Sequence, residues 1–393
     1  MDSNIRNYLV VTGGYWAFTI TDGAIRMLVV LYFHQLGYSP FEVAMLFLFY
    51  EIFGIVTNLV GGWLGARIGL NLTMHIGMAM QVVALVMLTV PDAWLSVAYV
   101  MFAQALSGIA KDLNKMSAKA SVKTLTGDGG ASRLFKYVAL LTGSKNALKG
   151  AGFFVGAALL QWIGFRGALW VLAGTLLAVL IVTAIMLPSG VGRMKSKPKF
   201  TQVFSNTRAI NWLSAARFFL FGSRDVWFVV GLPVFLSGVL GWSHMQVGGF
   251  LAIWVIGYGF VQAAAPKLIR RGHHGQGPGG GTARLWALIL AVFPAGIATA
   301  LTQGISPGPV LAVGLILFGI VFAINSALHS YLILAYSDFE KVAMNVGFYY
   351  MANAGGRLTG TVLSGLVYQN QGLAGCLWWS AAFVLAAAAL SIK

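Results

Sequence analysis

Leu169-Trp-Val-Leu-Ala-Gly-Thr-Leu-Leu-Ala-Val-Leu-Ile-Val-Thr-Ala-Ile-Met-Leu187 runs for nineteen residues without a charge. It is apolar all round, so neither the alternation of a membrane β-strand nor the one-sided stripe of a soluble helix describes it. A helix needs about 20 such residues to cross the hydrocarbon of a bilayer. The run therefore reads as a transmembrane helix, and the rest of the chain repeats it. Its 393 residues are 58% hydrophobic and only 9% charged, more apolar surface than one soluble core could enclose. Twelve spans are predicted, at 9–36, 41–66, 71–90, 93–115, 134–162 and 167–187, then at 209–237, 244–265, 284–303, 309–335, 343–369 and 372–391.

Residues 1–7 lack a basic segment followed by a small-residue cleavage site, and Asp22 and Arg26 interrupt the first apolar stretch, so that stretch is expected to be an uncleaved span. The single Cys376 lies in the last span, which excludes a disulfide or a thiolate metal site within one chain. In a soluble protein a net charge of +16 would suggest nucleic acid. Here the cations concentrate in alternate connections: Arg6, Arg67, Lys119, Lys123, Arg133, Lys136, the four between Arg193 and Lys199, Arg208, Lys267, Arg270, Arg271, Arg284 and Lys341. The opposite connections hold essentially only Arg166. By the positive-inside rule this predicts both termini in the cytoplasm, and no nucleic-acid partner.

The chain also echoes itself. Asp22 and Arg26 followed by Leu36-Gly37-Tyr38-Ser39 resemble Arg224 and Asp225 followed by Leu240-Gly241-Trp242-Ser243. A displacement of 208 residues overlays Lys149-x-x-Gly152 on Arg357-x-x-Gly360, and Lys145 on Asn353. The expected organisation is a six-helix half at 1–188, a polar linker at 189–207 and a second half at 208–393. Gly61, Gly65 and Gly69 read as packing positions. The glycine-rich 272–281, with His273 and His274, reads as a solvated loop in preference to a metal site.

A cation at the bilayer centre costs about 2.5–3.5 kcal/mol on insertion scales, so it faces a partner or a cavity. Counting along each span places Lys145, Lys149, Arg224 and Arg357 near the midplane, Arg26 further out, and Lys111, Lys115 and Arg217 nearer the cytoplasmic ends. These eight cations face four acids, Asp22, Glu51, Asp112 and Asp225. Asp22 is expected to pair with Arg26, four residues on, and Asp112 with Lys115. The remaining surplus of positive charge points to an anion-binding site. Arginine suits forked bonds to oxyanions and lysine acts as a compact charge. The candidate ligands are Arg26, Lys111, Lys115, Lys145, Asn146, Lys149, Arg224, Tyr350, Asn353 and Arg357, with Phe348-Tyr349-Tyr350 lining the same helix. Lys111, Lys115, Lys119 and Lys123 form a ladder, either a funnel for anions or, at Lys119 and Lys123, a contact with lipid headgroups. His329 and Glu51 are candidate proton relays alongside the other acids.

Zincin, nucleophile-elbow and P-loop motifs are missing from the sequence, which makes an enzyme a poor reading, and no cofactor is expected. The segments Ser107–Lys119, Leu141–Gly150, Asn211–Arg217, Gly222–Val230 and Gly347–Arg357 resemble the ArsJ-type organoarsenical efflux permeases of the major facilitator superfamily, in order and spacing over nearly the full chain. Gly62-Trp-Leu-Gly-Ala-Arg-Ile-Gly69 is a degraded copy of that superfamily's G-x-x-x-D-R/K-x-G signature, with Ala66 in the acidic position. The resemblance implies an all-α membrane protein of the major facilitator fold, with 12 transmembrane helices in two pseudo-symmetric six-helix bundles. It further implies a monomer in a bacterial inner membrane that exports 1-arseno-3-phosphoglycerate, made by glyceraldehyde-3-phosphate dehydrogenase from arsenate. An organophosphate or phosphate exchanger of the same fold is the alternative.

Overall fold

The computed structural model describes residues 3–37, 46–126, 131–188, 190–194, 199–204, 207–229, 231–242, 244–269 and 277–391. The expected start of the second span at 41–45, the echo residues Tyr38, Ser39 and Ser243, and both histidines of the glycine-rich loop lie outside them. So do Lys195, Lys197, Arg270 and Arg271.

Among the described residues the architecture is all helical, with the expected twelve helices. The first four are α1 (Ser3–Gln35), α2 (Leu48–Ile68), α3 (Leu70–Met87) and α4 (Val97–Thr126). Ala131–Met186 contains two helices, α5 and α6, that meet at Gly164. Then come α7 (Arg208–Phe228), followed by the short helix Gly231–Gly238, α8 (His244–Leu268), α9 (Gly280–Thr302) and α10 (Pro307–Ala335). Val342–Leu390 contains α11 and α12, meeting at Gly372. Gly164 has φ 71° and ψ 176°, Gly372 φ 63° and ψ −166°, a region only glycine enters at low cost. The two turns stand 208 residues apart, the displacement that overlays Lys149 on Arg357. The repeat is thus written in the backbone as well as in the side chains.

Helix α6, the run quoted first, buries Leu169, Leu172 and Leu176 while Trp170, Ile181 and Ile185 stand exposed, Ile185 by 80%. Apolar side chains on both faces fit a helix whose outer face meets lipid, because water would oppose that exposure. Seven described segments are long and apolar enough to cross a membrane. Helices α1, α4 and α7 fall outside that set, as does α5 before Ala158; these carry Asp22 and Arg26, Lys111, Asp112 and Lys115, Arg217, Arg224 and Asp225, and Lys145 and Lys149. The fourth span was expected to stop at 115 but α4 continues to Thr126. Its last turns bury Met116, Ala118, Ala120 and Val122, and that packed face carries the helix on.

The chain forms two compact units. The first comprises Met1–Gly129, Ser144–Ser205 and Ser337–Met351, the second Gly130–Gly143, Asn206–Tyr336 and Ala352–Lys393. In the first, the apolar core gathers Leu28, Phe33, Leu85, Val100 and Leu169. In the second it is aromatic: the Trp227 ring meets Phe318 and Trp254 edge-on at 5.2 and 5.9 Å. Cys376 is fully buried in that core.

Among the helix pairs that approach so closely that only glycine fits, two carry the buried ion pairs. A Cβ at Gly152 would lie 2.5 Å from the Ile20 carbonyl oxygen, and one at Gly156 2.5 Å from that of Ala24, so α5 touches α1 along its backbone. A Cβ at Gly360 of α11 would lie 2.7 Å from the Gly222 oxygen of α7. Such contacts let short charged side chains reach across the seam. Gly61 and Gly65 serve packing, against Leu113 and Leu70.

Candidate substrate site

In the first unit the charges gather around the α1–α5 seam. Lys149 Nζ lies 3.1 Å from Asp22 Oδ2, and the Tyr50 hydroxyl donates to Asp22 Oδ1 at 2.6 Å. The expected Asp22–Arg26 pair does not form. The close seam brings Lys149 to the carboxylate, and Arg26 turns to α2, where its guanidinium is 3.8 Å from Glu51 and over the rings of Phe47 and Tyr50. On α4, Asp112 takes Lys111 at 3.7 Å and also takes Lys115, as the sequence suggested. The Lys111 ammonium sits 3.8 Å from the centre of the Tyr50 ring. Tyr50, fully enclosed, therefore touches Asp22, Arg26 and Lys111.

Further along α4, Lys115 and Lys119 both lie over the ring of Tyr350, and Lys119 donates to its hydroxyl. Lys119 is buried, which rules out the lipid-headgroup reading for it. Lys123 lies over Phe339. Lys145 and Asn146 are half-buried on α5, one turn before Lys149.

In the second unit Asp225 is the hub. Arg224 reaches its Oδ1 through Nε at 2.6 Å and Nη2 at 2.5 Å, and Arg357 reaches its Oδ2 through Nε at 3.1 Å. The Asp225 side chain is 1% exposed, whereas Arg357 is 33% exposed. Arg224 is bordered by Phe221, Phe228 and Phe322. Two turns earlier on α7, Arg217 donates to Asn353 Oδ1 at 2.9 Å and to the Ser326 carbonyl and hydroxyl at 3.2 Å. Gln262 joins the same hydroxyl at 3.0 Å. His329 is fully buried one turn beyond Ser326, with neither ring nitrogen hydrogen-bonded among the described residues.

The candidate ligands thus fall into two assemblies. Arg26, Lys111, Lys115, Lys145, Asn146, Lys149 and Tyr350 belong to the first, with Asp22, Glu51 and Asp112; Arg224, Asn353 and Arg357 belong to the second, with Asp225 and His329. In each, deeply buried carboxylates hold cations from behind. Arg26 and Arg357, each 33% exposed, are the most accessible of the ion-paired cations within these two assemblies. Sequence reasoning missed Tyr50, Ser326 and Gln262 as partners, did not count Arg217 among the ligands, and left Lys119 beyond the end of the fourth span, which α4 includes. Arg217 stands seven residues before Arg224, two turns along one face, which was a readable signal; nothing in the sequence distinguishes Tyr50 from other aromatics in the spans.

The sequence matches the profile of the Major Facilitator Superfamily over residues 11–336. No curated protein matches it in sequence. Among solved structures it is similar to the human organic anion transporter MFSD10 (TETRAN), at 16% identity and a TM-score of 0.79 over 100% of both chains. It is also similar to a bacterial homologue of the iron transporter ferroportin in an outward-facing state, at 16% identity and a TM-score of 0.75 over 98% of both chains. The E. coli fucose:proton symporter FucP follows at 12% identity and a TM-score of 0.75, over 99% of this chain and 98% of that one. At these identities the likeness is one of fold.

Proposed function

We propose that this chain, which belongs to the Major Facilitator Superfamily, is an efflux transporter for an anionic organoarsenical, 1-arseno-3-phosphoglycerate, and confers resistance to arsenate. Membership makes it a multi-pass membrane transporter of a small substrate, and members of the family are transporters, not enzymes. The finer reading rests on one observation. The five segments that resemble organoarsenical permeases contain Lys111, Asp112, Lys115 and Lys119; Lys145, Asn146 and Lys149; Arg217; Arg224 and Asp225; and Tyr350, Asn353 and Arg357. Most of both charged assemblies therefore lies within the resemblance.

The chemistry suits an oxyanion. The forked guanidiniums of Arg224 and Arg357 can exchange the Asp225 carboxylate for an arsenate or phosphate group of similar geometry. The lysines of α4 and α5, in the first unit, are compact charges suited to the same kind of group. The cycle we propose is alternating access with proton antiport, run by a monomer in a bacterial inner membrane. Its two halves, 1–188 and 208–393, are joined by a cytoplasmic linker at 189–207, and both termini are cytoplasmic. Glyceraldehyde-3-phosphate dehydrogenase supplies the ester. Outside the cell the ester falls apart to arsenate.

The deciding assay is uptake of arsenic by inverted membrane vesicles with and without the dehydrogenase generating the ester from arsenate. Uptake only in its presence is expected. A preference for glycerol phosphates free of arsenic would replace this reading with the organophosphate exchanger. Arg224→Gln and Arg357→Gln should each abolish arsenate resistance while the protein still inserts, and unchanged resistance in both would remove the assigned site.

A further inference from the structure

The stretch that follows α6 is held against the end of α2 by contacts that the transport reading does not use. The Met194 N–H donates to the Ala66 carbonyl and the Leu70 N–H to the Val191 carbonyl, both at 2.8 Å, while Asn71 Nδ2 donates to the Pro188 carbonyl at 2.7 Å. Further on, Phe200–Phe204 forms a turn of 3₁₀ helix. The Phe200 ring meets Trp63 edge-on at 6.0 Å, and the Phe204 ring meets Phe200 at 6.1 Å and Phe348 of α11 at 6.4 Å. Even so, Phe200 and Phe204 remain 41% and 55% exposed. The face of α2 on which Phe200 rests identifies their surroundings. Every exposed residue of α2 before Arg67 is apolar: Phe49, Ile52, Phe53, Val56 and Val60. Their spacing continues along one side of the helix to Trp63 and Arg67. Such a stripe faces lipid, and Trp63 stands about 21 Å along the helix from Phe49, near the edge of a hydrocarbon layer of about 30 Å. The rim is positive. Arg67 lies over the Trp63 ring at 5.1 Å, Arg193 adjoins the Met194–Ala66 hydrogen bond, and Lys199 precedes Phe200; all three are exposed. Lys195 and Lys197 add charge in the sequence, and no acidic residue occurs between Asp128 and Asp225.

We propose that this face of the chain docks on the bilayer and binds lipids with anionic headgroups. Phe200 and Phe204 enter the acyl boundary beside Trp63, as aromatic rings do at membrane interfaces, and Arg67, Arg193 and Lys199 take the headgroup phosphate. Arginine offers a forked pair of N–H donors and lysine a compact charge, both matched to a phosphodiester. A zwitterionic headgroup brings its own ammonium to the same cations and is disfavoured. The occupant is a lipid and not a soluble phosphate, because only a lipid answers the exposed rings and the cations with one molecule. Phe204 also meets Phe348 near the start of α11, so a bound lipid braces that helix through the same ring. The inference holds whatever the substrate is, and stands apart from the arsenical reading.

The test uses the full chain in phosphatidylcholine vesicles, with a fluorophore on Thr201→Cys, an exposed position in the 3₁₀ turn. Cys376 is buried and takes no label. Nitroxide-labelled phosphatidylglycerol or phosphatidylcholine is added in increasing proportion, and quenching reports which lipid reaches the turn. Phosphatidylglycerol should quench at a far lower mole fraction. Arg67→Gln combined with Lys199→Gln should weaken that preference roughly 20-fold, at about fivefold for each cation. Arg67→Lys combined with Lys199→Arg, which keeps both charges, should retain it. Phe200→Ser combined with Phe204→Ser should reduce quenching by both lipids. Absence of quenching by either lipid, equal quenching by both, or a preference unchanged in the Gln variant overturns the proposal. Loss of the preference on adding sodium phosphate, but not sodium chloride at the same ionic strength, assigns the cations to a soluble anion and overturns it as well.

Discussion

Replacing Asp225 by Asn tests whether one carboxylate holds the second assembly together. Its side chain is 1% exposed and receives three N–H contacts at 2.5–3.1 Å from Arg224 and Arg357. Removing one member of a buried ion pair costs about 3–5 kcal/mol, because the partner's charge is left uncompensated. Arg224 and Arg357 are 17% and 33% exposed, so water relieves part of that penalty, and the amide oxygen still accepts one N–H. We therefore expect a loss of roughly 2–3 kcal/mol. At about 2–4 °C per kcal/mol for large domains, the midpoint of thermal unfolding should fall by roughly 4–12 °C. Asp92→Asn is the control, since its bridge to Arg166 is about half exposed and such a pair contributes only about 0–1 kcal/mol. The assay is thermal unfolding of the purified protein in detergent, followed by tryptophan fluorescence. A second arm adds 3-phosphoglycerate. An anion that takes the place of the carboxylate should return about 2.7 kcal/mol at a hundredfold excess over its dissociation constant, more than it gives the wild type. Asp225→Asn unfolding at the same temperature as Asp92→Asn would refute the reasoning.

Two further predictions concern the glycines. Gly156→Ala places a methyl group 2.5 Å from the Ala24 oxygen; overpacking of this kind costs about 1–3 kcal/mol and should lower the yield of monodisperse protein in size-exclusion chromatography. Gly164→Ala and Gly372→Ala force a side chain into a conformation that costs about 1–3 kcal/mol. By contrast Gly174→Ala, in α6 with nothing within 4 Å of the added methyl, should raise the unfolding midpoint, since alanine in a helix is favoured by about 0.5–1 kcal/mol. A fall for Gly174→Ala equal to that for Gly372→Ala would remove the conformational argument.

The number, order and approximate bounds of the helices were legible because a bilayer imposes a nearly one-dimensional code: about 20 apolar residues, a break, then the next run. The repeat was legible too, through Lys149 and Arg357 and through the leucine-glycine pairs at 36 and 240. Partner choice was not. Reading along one helix gives Asp22 to Arg26, four residues on, while the backbone contact at Gly152 and Gly156 gives it to Lys149. No local pattern encodes which helix lies alongside. The same limit hid Tyr50, whose importance comes from three elements meeting at one ring. Lys119 was left beyond the fourth span because span ends drawn from hydropathy stop at the first charges, whereas α4 runs on to Thr126. The helices bury Lys119 against Tyr350, and Arg217 against Asn353 and Ser326.

Cys376 is the chain's sole thiol, and it is sealed in the second core with its sulfur 3.8 Å from the Ser364 carbonyl oxygen. The native protein is therefore already a silent background for spectroscopy. A maleimide or a nitroxide reagent offered to the folded protein will find only the cysteines an experimenter adds. Pairs of labels at positions such as Trp94 and Ile305, both well exposed, can report distances during turnover with no thiol having to be removed first.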